Sequence, residues 1–518
     1  MAKKIDSTLE TDVDEYERKQ KKQKKKKDYR NFFYYLNPKS LSGEIKKYGY
    51  TITPMRAIFN SFIIVALAIL MAVVFKLQVP WIIALVICWL ILFPAYLVTS
   101  FKGLYENTRF ADVNTYIEQF LYSFRKQQKI LNALNDVIIL FPEGPMHNIL
   151  QAAIDHIMTG DINGDVTKEA LDLIEEAYPC SRIKNLHKFA LTTEQNGGDP
   201  SMSIDLLLND RRLWSERTAE SQVMKKDARN KFVVSSFLSL GICASLLYMS
   251  GTEKLHMDTN AVCQTAAVIA MFIDMLIYIK INQKINVTML DIPGDKTEEI
   301  AVQDLIWLKN YDPDKARKRS FKFCIIPFII LVIGIIFKNI FVGCGAILLA
   351  ILIICNKDLS KKLREKSVSK EVEKKFSEWL MEVSLLTQYN TIMVALDTSI
   401  DTAPTILKEE LKSFIEKAKS EPNSIKPYIE FMDILNLPQI QSAMRMLYSI
   451  SNGTGGDVQA QSKTLIEQNT ILMDRAEKIK TETQVAGFNA LIYLPTLTGS
   501  FKLLVDMTIM LFGFMSLM

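Results

Sequence analysis

Few residues in this sequence are equipped for chemistry. Histidine occurs four times in 518 residues, at His147, His156, His187 and His256, and no spacing pairs any of them with a metal ligand or a nucleophile. The seven cysteines, Cys88, Cys180, Cys243, Cys263, Cys324, Cys344 and Cys355, form no CxxC pair. That argues against a zinc site and against a disulfide framework. The phosphate-cradling loops GxxxxGK[ST] and GxGxxG are missing, as are HExxH and GxSxG. Asp161, Asn163, Gly164 and Asp165 are spaced wrongly for a calcium loop and read as a turn. These absences point away from an enzyme, a metal site or a cofactor site.

What the chain has instead is apolar length. Runs of near 20 residues or slightly fewer occupy 57–75, 81–99, 232–248, 261–279, 324–337 and 341–355. They come in close pairs, as spans of a bilayer with short outer loops would. The chain therefore reads as an all-α, polytopic helical membrane protein. Charge gives the sidedness. Eight basic residues crowd 18–27, Lys315, Arg317, Lys318, Arg319 and Lys322 precede the fifth run, and Lys357, Lys361, Lys362, Arg364 and Lys366 follow the sixth. Basic segments beside spans stay inside, so the large soluble segments are expected in the cytoplasm of a cell bounded by this inner membrane.

The expected division is a disordered basic tail at 1–30, an interfacial lead-in at 31–56, and a first span pair at 57–101. A first soluble helical domain follows at 102–230 and a second pair at 231–281. After a connector at 282–320 and a third pair at 321–356 come a second soluble domain at 357–485 and two short terminal spans at 486–518. Lys502 and Asp506 suggest that the last two spans join near Ser500 and Phe501. The lysine-rich tail suits an anionic lipid surface better than nucleic acid.

The two soluble segments look duplicated. Aligning Gly197, Gly198 and Asp199 on Gly455, Gly456 and Asp457 also places Leu207 on Leu465 and Arg217 on Arg475. With a shift of four residues upstream, Ala133 and Leu134 fall on Ala395 and Leu396, and Pro142 on Pro404. In each glycine turn the aspartate suits a helix N-cap or first turn. Both turns are expected to lead through a helix without interruption into a span. Asp274 is the one clear carboxylate inside a run, and a carboxylate at that depth is a functional candidate.

Several of these residues carry a family resemblance. Asn390, Ala395-Leu396, Pro427-Tyr428, Leu437-Pro438-Gln439-Ile440, Ser442-Ala443-Met444, Met446-Leu447-Tyr448 and Asp474-Arg475-Ala476-Glu477-Lys478 resemble the type II secretion system F domain. The pattern is closest to that of Tad-type pilus platform proteins (TadB-like and TadC-like), with two such modules in one chain. The similarity extends over about residues 40 to 518, and the lead-in from Gly49 to Pro54 shares it. The first copy departs from the pattern, with Trp214 where the second has Leu472 and no Leu-Pro-Gln-Ile segment. The resemblance implies a non-catalytic platform in the inner membrane. Its partners would be a hexameric secretion ATPase, pilin or prepilin subunits and the lipid membrane, with a homo-oligomer also compatible. The alternative reading is a transporter or channel with repeated halves, in which Asp274 would be essential.

Overall fold

The structure is a computed structural model that describes residues 62, 66 and 69–517, apart from 161–164, 250–258, 291–295, 314–339, 388–389 and 453–457. Gly455, Gly456 and Asp457 lie outside the described residues, as do the basic tail, the lead-in and the fifth apolar run. Every regular element among the described residues is helical. Among the described residues, four stretches are long and apolar enough to cross a membrane: Val79–Gln127, Ser201–Tyr248, Ala261–Ile285 and Glu467–Phe512.

In chain order the elements are α1 (Val79–Gln127), α2 (Ile130–Ile138), α3 (Pro145–Thr159), α4 (Val166–Ala177), α5 (Ser181–Asn196), α6 (Ser201–Met249) and α7 (Ala261–Ile285). There follow α8 (Lys296–Lys309), α9 (Ile340–Leu386), α10 (Ile392–Thr402), α11 (Thr405–Ser420), α12 (Lys426–Glu430), α13 (Pro438–Ser451), α14 (Val458–Ile492) and α15 (Leu494–Leu517). A single 3-10 turn, Asp433–Leu435, separates α12 from α13.

Local chemistry sets several of these boundaries. Pro145 opens α3, where its missing N–H costs nothing. Asp165 caps α4, its carboxylate accepting from Lys168 N at 3.3 Å, and Asn260 caps α7 through Val262 N at 2.9 Å. Between α5 and α6 the chain reverses through Gly197 (φ 70°) and Gly198 (φ 105°), a left-handed passage that needs glycine. Asp199 then accepts from Ser201 N at 3.0 Å and from its hydroxyl at 2.6 Å, capping the start of α6.

α1 ends at Gln127 and the chain breaks at Gln128 (φ 51°) before α2, and the end of α9 is likewise divided from the start of α10. One boundary differs from the sequence reading. At the C-terminal end, Ser500 and Phe501 lie within α15, and the break falls at Tyr493. Two physical reasons account for this. Pro495 sits in the first turn of α15, where its missing N–H leaves no hydrogen bond unmade, and the break comes just ahead of it. Lys502 and Asp506 stand one turn apart and pair with each other, so their charges need no interruption.

The chain forms two compact units. One comprises 69–109, 222–289 and 485–517, within Met1–Arg109, Gln222–Met289 and Val485–Met518; the other comprises Phe110–Ser221 and Leu290–Gln484. Three of the four divisions fall inside α1, α6 and α14, each of which runs on without a break, and the fourth falls between α7 and α8. In the first unit, Phe75, Leu85, Leu240, Cys243, Ala267 and Met271 make one apolar cluster, and Phe232, Ile281, Ile285 and Phe488 another. There α7 lies along α15. At Gly499 a Cβ would collide with the Ser239 hydroxyl, so only glycine permits α15 to approach α6 this closely.

The second unit has two apolar cores. The earlier is built on Tyr116, Phe120, Phe124, Leu134, Leu150 and Trp214, and the later on Phe376, Trp379, Leu396, Leu407, Phe414 and Leu447. Met381 and Met473, from the later half, are buried in the earlier core.

Candidate functional site

Of the residues singled out by sequence, Arg217 and Arg475 fall in one place and Asp274 in a second. The first is a polar seam within the second unit, where α6 runs beside α14. Arg182, at the start of α5, grips Asp210 through Nε (2.8 Å) and Nη2 (3.0 Å), and Nη2 also donates to Glu477 at 2.8 Å. The same guanidinium lies over the Trp214 ring, 4.8 Å from its centroid. One turn along α6, Arg217 donates to Asp474 Oδ1 from Nη2 (2.7 Å) and Nε (3.0 Å), and to Glu220 from Nη1 (2.8 Å). These hydrogen bonds, with Asp474 the stronger influence, raise the Arg217 pKa above its ordinary value. Asn209 donates to Thr470 at 3.1 Å and Thr481 to the Arg217 carbonyl at 3.4 Å, extending the seam in both directions.

Arg475, the counterpart of Arg217 in the sequence alignment, turns the other way. It pairs with buried Glu373 of α9, Nε to Oε2 at 3.1 Å. The two arginines thus take different partners although Asp474 and Arg475 are neighbours. Further along, Lys188 of α5 meets Glu382 of α9, and Thr402 donates to the same carboxylate. Lys375, seven residues before Glu382 on α9, is nearly enclosed. Burial opposes its charge, but Glu378, Glu298 and Glu371 outweigh that, and its pKa is raised.

Pro142 is exposed in the turn before α3, and Pro404 precedes α11, where its carbonyl accepts from Lys408 N at 3.0 Å. Neither touches the seam. Arg182 and Asp210 carried no signal on their own, and the pairing of Arg182 with Glu477, 295 positions away, has no local pattern. Trp214 did carry one, since it broke the hydrophobic match to Leu472. The chemistry available to the seam is holding: fork-shaped arginine contacts fix two helices in one register.

The second place is Asp274, half-way along α7. Its side chain is 7% exposed, and Oδ1 accepts from Thr498 of α15 at 2.9 Å. The sequence did not announce Thr498 as its partner. Nearby on α15, Lys502 and Asp506 are wholly buried and bonded to each other, with Lys502 5.5 Å from the Phe75 ring centroid. Ser239 donates to the Pro495 carbonyl at 2.8 Å and Cys243 to that of Gly499 at 3.3 Å, tying α6 to the same helix. Among the described residues, no group of His, Cys, Asp and Glu is arranged to hold a metal ion.

Searches with this chain found no matching family model, no matching curated protein and no matching solved structure.

Proposed function

We propose that the chain is a non-catalytic membrane platform of a type IV filament, Tad-pilus or type II secretion-like machine. It would couple a cytoplasmic secretion ATPase to the assembly of pilin subunits. The observation that carries this reading is the course of α1, α6 and α14: each begins or ends in a charged, ion-paired unit and continues unbroken into an apolar, membrane-capable one. A helix without a break transmits tilt or rotation, where a flexible loop would absorb it. The helix succession after Gln127 and after Leu386 supports reading the soluble part as two related cytoplasmic modules. In both cases a short helix, a helix of 15 or 16 residues, a further helix (12 residues in the first, 5 in the second) and a helix before the Gly-Gly-Asp sequence precede a long helix.

The test is purification of the full-length protein from its native membrane after crosslinking in cells, with mass spectrometry of what accompanies it. A secretion-type ATPase and small prepilins above background are expected. Recovery of the protein alone would overturn the reading. A second reading, a transporter or channel, is favoured by one observation, the buried carboxylate of Asp274 in mid-helix. It predicts solute flux that D274N abolishes and that needs no motor partner.

A further inference from the structure

The platform reading leaves Asp274 without a task. Asp274 sits 13 residues into α7, which at 1.5 Å per residue is about 20 Å from the helix start. One carboxylate oxygen takes the Thr498 hydroxyl, while Oδ2 has no hydrogen bond of ordinary length, although Ser236 stands beside it. Lys502 is paired with Asp506, and among the described residues no ion pair joins it to Asp274. Among the described residues, the buried carboxylates and ammonium of α7 and α15 are Asp274, Asp506 and Lys502, so Asp274 is left without an ion-pair partner of its own. A buried charge in that position is costly unless it has a partner.

Beside Asp274 lies a cavity of about 280 Å³. That is close to the lower end of ligand pockets, roughly 300–1,000 Å³. Five aromatic side chains, Trp89, Tyr96, Phe232, Phe237 and Tyr278, share its walls with Ser236 and with leucine, valine and methionine side chains, and the Tyr96 and Tyr278 rings stack at 6.2 Å. Aromatic faces attract cations, and such walls are the common surroundings of ammonium groups. A bare divalent metal would need several oxygen ligands, which these walls do not offer. An anion would be repelled by the carboxylate.

We propose that this cavity is a binding site for an organic ammonium ion, a primary ammonium group on an apolar chain. The ammonium bonds to Asp274 Oδ2, and the apolar part packs among the five rings. Two sources share this chemistry, the headgroup of an aminophospholipid and a free alkylamine. The inference is independent of the platform reading and survives if that reading fails.

The experiment uses full-length protein in nanodiscs of phosphatidylglycerol, which contain no amine. Binding of n-butylammonium is followed by calorimetry, with n-butanol as the uncharged control. Saturable binding of the amine is expected, weakened at least tenfold in D274N and several-fold in Y278L. D274N should keep the parental melting temperature to within a few degrees, since its amide oxygen can still accept from Thr498. Adding phosphatidylethanolamine to the nanodisc raises the apparent Kd if the source is a lipid headgroup, and leaves it unchanged if the ligand is a free amine. Equal binding by D274N, butanol binding as tightly as the amine, or no saturable binding would each overturn the proposal.

Discussion

His187 is buried between a phenol and a carboxylate. Its Nε2 is 2.7 Å from the Tyr116 hydroxyl and its Nδ1 is 2.9 Å from Glu175 Oε1. The partners assign the tautomer: Nδ1–H donates to the carboxylate and Nε2 accepts from the phenol. Burial lowers the His187 pKa from its ordinary value near 6.5, and Glu175 offsets this only in part. Burial and the same glutamate push Tyr116 well up, so it remains a phenol. The sign of the effect on stability follows from the direction of the histidine shift. Between the lowered folded value and about 6.5 the unfolded chain binds a proton that the folded chain refuses, so stability is complete above about pH 6.5 and declines below it. Full-length protein in detergent should lose melting temperature as the pH falls from 7 to 5, and H187Q should show a shallower decline from a lower starting value. Equal slopes in the two proteins would rule out this origin. Nothing around His187 in the sequence announces this arrangement, because Tyr116 is 71 residues away.

At the scale of elements, hydrophobic runs and breakers made most of the structure legible. The passage of α6 from a glycine turn into an apolar run needed only the absence of proline and glycine across 202–240, and the structure has that helix. The break at Gln128 had no such marker, since a glutamine at positive φ is set by packing on both sides. Pro495 was visible, but the charged pair Lys502 and Asp506 drew the expected break downstream. Their mutual pairing is what cancels that expectation. The same helix supplies a test. Replacing Gly499 with alanine puts a methyl group into the Ser239 hydroxyl and should destabilise the protein by about 1–3 kcal/mol, as overpacking does. Ser239→Gly in the same chain should recover most of the loss by opening the space. A G499A protein with unchanged melting temperature would show that α6 and α15 can separate freely.

Across the whole molecule, the seam joins sequence segments that lie far apart. Arg182 neutralises Asp210 and Glu477 together, and all three side chains are nearly enclosed. Removing the arginine by R182M leaves two buried carboxylates facing each other, which costs about 3–5 kcal/mol by the usual measure of a broken buried pair. E477Q removes one of those charges. In a double-mutant cycle the combined variant should be more stable than the sum of the single losses predicts, by about 0.5–3 kcal/mol. Simple additivity in unfolding experiments on the full-length protein would mean that Arg182 and Glu477 do not interact. The composition of the chain could forecast soluble segments beside spans, yet not that both would be buried against each other through Met381 and Met473. Packing between distant segments leaves no periodicity for a sequence reading to find.

The two enclosed indoles of this unit give it an optical signature. Trp214 and Trp379 are shielded from water, one in each core. Trp379 donates its N–H to Ser399 at 2.9 Å, whereas the Trp214 N–H has no acceptor and its ring lies beneath the Arg182 guanidinium. Emission from Trp214 should therefore report the seam and emission from Trp379 the interior of the later core. With each retained alone, the protein would carry its own fluorescent gauge, able to tell separation along the seam from unfolding of a core without any attached dye.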